Sequence, residues 1–169
     1  AFKFHSQGNI SEAAKYYQHF INQGFNDHQV FSNYGVILKD LGKLKEAELS
    51  TRKAIELNPD VADAHENLGG ILIDLGKLKE LLLLSESTLE SKSINQGYKL
   101  LASLRITIAN LLQKDFSETL LSINKTNDLI NQGAINTIKD EKNKKYSFAF
   151  SRFITSLYPL LEKENKHPD

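Results

Sequence analysis

The segment Leu41-Gly42-Lys43-Leu44-Lys45-Glu46 returns unchanged at Leu75–Glu80, 34 residues later. This copy constrains the fold more than any property of composition, because self-similarity at a fixed period of roughly 20–50 residues marks architectures that stack one small unit. Weaker copies extend the series. GNISEA (Gly8–Ala13) and KDFSET (Lys114–Thr119) align with GKLKEA (Gly42–Ala47) and GKLKEL (Gly76–Leu81). Their glutamates are Glu12, Glu46, Glu80 and Glu118, spaced 34, 34 and 38, and the apolar residue two before each is Ile10, Leu44, Leu78 and Phe116. A second series, Asn22, Asn58, Asn95 and Asn131, runs at 36, 37 and 36 and is expected to mark the repeat ends; three of these stand in Asn-Gln-Gly and one in Asn-Pro-Asp.

Between the marks the apolar period is helical. Phe31, Tyr34, Leu38 and Leu41 make one stripe, and Leu44, Ala47, Thr51, Ala54 and Ile55 make a second after Gly42. Each unit therefore reads as helix, turn, helix. Gly42 and Gly76 suit the turn, where a positive φ costs glycine little. Asn58-Pro59 ends the second helix, since the proline ring clashes with the preceding turn. One such hairpin cannot bury its apolar face alone, so the units must stack.

Within residues 28–61, Phe31–Pro59 (FSNYGVILKDLGKLKEAELSTRKAIELNP) resembles a tetratricopeptide repeat, with Gly35, Ala47 and Ala54 at its small-residue sites and Pro59 closing the unit. Residues 62–95 match in their first helix and degrade afterwards. Residues 1–27 resemble a truncated repeat and 98–131 a divergent one. The chain is similar to a fragment of a bacterial-type protein of this family, with repeats like those of O-GlcNAc-transferase-like proteins. The resemblance implies an all-α, right-handed α-solenoid of about 3.5 helix-turn-helix units plus a C-terminal capping helix. The expected organisation is a repeat array over 1–131, a polar linker over 132–145 and the capping helix over 146–169.

Composition excludes more than it selects. Lys plus Arg equals Asp plus Glu at 21 each, so no bulk charge draws the chain to nucleic acid or a membrane surface. The absence of cysteine removes disulfides, thiolate nucleophiles and cysteine metal sites. No apolar run approaches the ~20 residues of a membrane helix. The chain holds no methionine, not even an initiator, and so reads as a piece of a longer protein. None of the five histidines forms HExxH or a compact cluster with carboxylates, and no phosphate loop or nucleophile elbow is present. No catalytic residue, metal or cofactor is expected.

The candidate site is a binding surface. In stacked hairpins the first helices line the concave face. Their groove-facing residues are Gln29, Ser32, Asn33, Val36, Lys39 and Asp40 in one repeat, and Asp63, Glu66, Asn67, Gly70, Ile73 and Asp74 in the next. Asn33 and Asn67, one period apart, resemble the asparagine ladder of O-GlcNAc transferases, whose amides can grip a peptide backbone; the next equivalent is Arg105. The lysine–asparagine clamp by which some tetratricopeptide domains hold a carboxylate is absent, and Asp63, Glu66 and Asp74 favour a neutral or basic guest. Gly69 and Gly70 suit close helix packing. Where the pattern has alanine after the glutamate, as at Ala47, the second copy has Leu81, followed by Leu82, Leu83 and Leu84. Four consecutive leucines face all round a helix, so this run is expected to bury against the following repeat or to form an association surface for a homodimer. The expected function is a non-catalytic, cytoplasmic scaffold module that binds a protein or extended peptide. The alternatives are a recruiting domain of a larger transferase-type enzyme and a self-association module.

Overall fold

A computed structural model describes residues 9–134. The expected capping helix over 146–169, and all but the first three residues of the expected linker, lie outside them. Among the described residues there are seven helices and no strand: α1 (Ile10–Asn22), α2 (His28–Asp40), α3 (Leu44–Leu57), α4 (Ala62–Asp74), α5 (Leu78–Glu90), α6 (Gln96–Leu112) and α7 (Phe116–Asn131). Ile10, Leu44, Leu78 and Phe116, the apolar residues of the glutamate series, are the first residues of α1, α3, α5 and α7. The chain divides between Lys77 and Leu78 into two compact units.

The repeated hexapeptide is a helix-ending turn. Gly42 (φ +74°) and Gly76 (φ +68°) adopt the left-handed conformation that follows a helix. The Lys43 amide donates to the Leu38 carbonyl at 2.8 Å and the Gly42 amide to Lys39 at 2.8 Å; Lys77 and Gly76 repeat the pattern on Leu72 and Ile73 at 2.9 and 3.0 Å. This pair of bonds satisfies carbonyls the helix would otherwise leave open. The turn before α7 has the same geometry, but its left-handed residue is Lys114 (φ +58°), with Asp115 donating to the Asn110 carbonyl at 3.0 Å.

The asparagines of the series stand at helix ends of two kinds. Asn22 and Asn131 end α1 and α7, with Gly24 and Gly133 at positive φ. Asn95, in the same Asn-Gln-Gly tripeptide, instead starts a helix. Its side-chain oxygen accepts from the Gly97 and Tyr98 amides at 2.9 and 3.2 Å and caps α6. A short amide side chain serves at either end of a helix, so the tripeptide alone does not fix which.

The first unit contains α1–α4. Helix α2 packs against α1, α3 and α4, so it buries more than one stripe. Ile37, absent from the predicted stripe, is fully buried and joins Ala13 and Tyr17 of α1; Leu38 joins Ala47 of α3 and Ile71 of α4. Phe31 and Tyr34 are only half-buried, and Leu41 is exposed. Ala47, Thr51 and Ala54 are fully buried along α3. Gly35 sits where α2 and α3 meet: a Cβ there would run into the Thr51 side chain and approach the Ala47 carbonyl oxygen at 3.3 Å. Each fully buried Ile or Leu contributes about 1.5–3 kcal/mol. An ion-pair bolt adds to this packing. Glu48, largely buried on α3, accepts from Lys77 Nζ at 3.0 Å to both carboxylate oxygens and from Arg52 Nε at 2.9 Å.

The second unit contains α5–α7, with α6 packed against both neighbours. Leu100, Leu104 and Ala134 form an apolar cluster with Leu101, Leu129 and Ile130. The rest of this core is rich in hydroxyls. Ser103, Thr107, Thr119, Ser122 and Thr126 are all buried, and Ser103 Oγ lies 2.7 Å from Thr126 Oγ1. Thr107, Thr119 and Thr126 each donate to the carbonyl four residues back, at 3.1, 2.6 and 2.8 Å. Local bonds of this kind let a hydroxyl enter a core without an orphaned donor. The leucine run starts buried at Leu81 and turns outward; Leu82 and Leu84 are half-buried, while Leu83 is 67% exposed.

Candidate binding surface

The residues expected to line a groove lie on α2 and α4, adjacent helices of the first unit. Asp27 fixes the start of α2, its carboxylate accepting from the Gln29 and Val30 amides at 2.7 and 3.1 Å. The loop before α4 is braced by Asn58 Oδ1, which accepts from the Asp60 amide at 3.1 Å, and by the His65 ring, whose Nε2 lies 2.8 Å from the Pro59 carbonyl oxygen. Both helices end in the glycine turn described above. The expected surface is thus carried on two helices with the same C-terminal turn, and residues one period apart hold equivalent positions on them: Asn33 with Asn67, Val36 with Gly70, Lys39 with Ile73, Asp40 with Asp74.

Two contacts join the rows. Asn67 Nδ2 donates to Ser32 Oγ at 3.2 Å, and Lys39 Nζ pairs with the Asp74 carboxylate at 3.1 Å. Ser32 is thereby buried, while Gln29, Asn33, Asp40, Asp63 and Asp74 are exposed and Val36, Lys39, Glu66, Asn67, Gly70 and Ile73 half-buried. The Lys39 side chain passes over Gly70, where a Cβ would stand 3.0 Å from Nζ. The half-exposed ion pair is worth about 0–1 kcal/mol. It neutralises one of the carboxylates read as guest-selecting.

The two asparagines have different partners. Asn67 reaches from α4 to α2, whereas Asn33 bonds the Tyr17 hydroxyl on α1. Burial pushes the Tyr17 hydroxyl above its ordinary range, and the Asn33 hydrogen bond pulls it part of the way back. Each asparagine thus holds a bond to a preceding helix. Arg105 lies on α6 in the other unit. The Glu48–Lys77 pair and the Asn33–Tyr17 bond are not singled out by the sequence pattern, since each joins residues far apart in the chain with no shared motif.

Among the described residues no three His, Cys, Asp or Glu side chains gather where they could hold a metal ion. No helix there is long and apolar enough to cross a membrane.

Comparison with known proteins supports the fold. No curated protein matches the chain. Solved structures that resemble it include two of MamA. "MamA 41-end from Desulfovibrio magneticus RS-1" aligns with a TM-score of 0.65 at 17% identity, over 99% of this chain and 92% of that one. "MamA RS-1 ArsTM double mutant" aligns at 0.65 and 18%, over 91% and 89%. Residues 28–61 match the sequence model of the tetratricopeptide repeat family, and the described residues have the all-α, helix-turn-helix repeat fold of that type.

Proposed function

We propose that the chain is a non-catalytic scaffold module that binds a protein or extended peptide along the groove surface of α2 and α4. The observation that carries this reading is the register: Asn33/Asn67, Val36/Gly70 and Lys39/Ile73 stand one period apart on helices in contact. An extended guest meets the same type of position at regular intervals. Asn33 and Asn67 keep amide valences beyond the single bond each makes, and these serve a backbone rather than particular side chains. Asp40, Asp63, Glu66 and Asp74 against Lys39 leave the surface net acidic, which favours a neutral or basic guest. A displayed library of extended peptides, selected against the whole chain, tests the reading. Asn33→Ala with Asn67→Ala is expected to weaken the selected peptides about tenfold, roughly 1.4 kcal/mol, with unchanged far-ultraviolet circular dichroism. Unchanged affinity in a folded double variant would remove the ladder from the site.

One observation favours self-association as a second reading. Leu83, Leu112 and Leu121 of the second unit are each at least 60% exposed. Leu83→Glu would then lower the mass seen by light scattering at high concentration while changing stability by no more than about 0.5 kcal/mol.

A further inference from the structure

A second recess lies on the other side of α2. At about 3.6 residues per turn, Phe31, Tyr34 and Leu38 fall opposite Ser32, Val36 and Lys39. A cavity of about 420 Å³ opens there between α1 and α3, bounded by Gln18, Phe31, Tyr34, Leu38, Lys43 and Leu49. This is within the size range of small ligand sites. Its floor is apolar, and Leu49 stands at its rim 69% exposed.

The repeat itself shows what the recess lacks. Lys43 is the first-copy equivalent of Lys77. Lys77 reaches back 29 residues to Glu48 on the second helix of the preceding repeat and holds both its oxygens at 3.0 Å. Reaching back the same distance from Lys43 leads to Ala14 on α1. Lys43 has no ion-pair partner among the described residues. Gln18, at the place of Arg52, accepts from the Tyr34 hydroxyl at 2.7 Å and donates to Asn22 at 2.9 Å. Of the other charges that line the recess, Lys53 is paired with Glu56 at 2.6 Å, and Glu46 is a carboxylate that makes no ion pair with Lys43 among the described residues; it stands to Lys43 as Glu80 stands to Lys77, where the bolt to Glu48 forms beside it.

We propose that this recess docks a partner segment presenting a leucine- or phenylalanine-like side chain beside a carboxylate. The apolar side chain fills the space over Phe31 and Leu38, and the carboxylate takes on Lys43 the position that Glu48 takes on Lys77. The charge complementarity is the molecule's own, displayed one repeat later and missing here by the substitution of alanine for glutamate. The site is separate from the groove of α2 and α4 and takes a guest of opposite charge preference.

The test uses the whole 15N-labelled chain titrated with acetyl-Leu-Glu-Glu-Leu-amide, and with the analogues in which both glutamates are glutamine or lysine, followed by two-dimensional NMR. The acidic peptide is expected to shift the amide signals of Phe31, Tyr34, Lys43 and Leu49, and to bind about two- to fivefold more tightly than the glutamine analogue, the range for a half-exposed ion pair. Lys43→Gln should bring the acidic peptide to the level of the glutamine one. Ala14→Glu should do the same by supplying the carboxylate from within. Equal binding of the three peptides, shifts confined to α2 and α4, or an acidic preference that survives Lys43→Gln would each overturn the proposal. So would broadening of the recess signals with protein concentration alone, which would mark a second copy as the occupant.

Discussion

Gly35→Ala should change sign according to what stands at position 51. Helix α2 meets α3 at Gly35, where an added methyl runs into the Thr51 hydroxyl and stands 3.3 Å from the Ala47 carbonyl oxygen and 3.4 Å from Thr51 Cβ. The hydroxyl is not free to swing away without loss, because it donates to that same Ala47 carbonyl at 2.8 Å inside the core. Overpacking of this kind costs about 1–3 kcal/mol. Against it stands the gain of alanine over glycine inside a helix, about 1 kcal/mol. In the native background the variant should therefore lose up to about 2 kcal/mol, the propensity gain offsetting part of the clash. With Thr51→Ala the clashing atom is gone, the remaining contacts need adjustments of a few tenths of an ångström, and Gly35→Ala should stabilise by up to about 1 kcal/mol. Urea unfolding of the four members of the cycle, followed by circular dichroism, gives a coupling of about 1–3 kcal/mol if the contact is as described. A coupling below about 0.5 kcal/mol would mean that α2 and α3 do not cross at this pair, and the register of the groove surface would have to be redrawn.

Three other perturbations follow from single residues. Burial pushes the Glu48 carboxyl up, but hydrogen bonds and charge from Lys77 and Arg52 outweigh it and leave it below its ordinary 4.5; its contribution is therefore whole above that pH and lost as pH falls through the folded value, so Glu48→Gln should cost about 1–2 kcal/mol at pH 7 and flatten the acid limb of a pH–stability curve. Lys114, held at positive φ where two other turns have glycine, gives up about 1–2 kcal/mol of left-handed strain on Lys114→Gly; after glycine's entropic cost, urea unfolding should show a gain of about 0.5–1 kcal/mol. Ser85 is buried on α5 with no hydrogen-bond partner for its hydroxyl among the described residues, so Ser85→Ala should stabilise by about 1 kcal/mol, visible as a melting temperature about 2–4 °C higher.

The local parts of the fold were legible because they depend on a few adjacent residues. A glycine followed two residues later by an apolar side chain gives the left-handed turn and the first residue of α3 and α5. What depends on neighbours in space was less legible. A single apolar stripe presumes one partner, yet α2 has three, so Ile37 was missed and Leu41 overcounted. The buried hydroxyls between α6 and α7 are not marked by the apolar period, although Ser103 with Thr107 and Ser122 with Thr126 stand at the four-residue spacing that lets a threonine bond the carbonyl behind it. At the candidate surface the row register follows from the period alone. That Asn67 turns to Ser32 and Lys39 to Asp74 does not, because these pairs are 35 residues apart and meet only through the packing of α2 on α4.

The copied hexapeptide bears on function through the residues around it. Lys43 and Lys77 have the same neighbours in sequence, the same turn and the same bond to the carbonyl five residues back. One is part of an ion-pair bolt and the other has no ion-pair partner among the described residues, and the difference lies in a residue 29 positions upstream, glutamate in one case and alanine in the other. Repeats of this kind must keep the turn and the small residues of the helix crossing, since each stacked unit needs the same geometry. They are free to vary wherever one helix looks across to the next repeat. Alanine at position 14 leaves Lys43 beside an apolar-floored recess, where the following repeat has the Glu48–Lys77 pair, so under the proposal above the second docking site arises from a mismatch between copies.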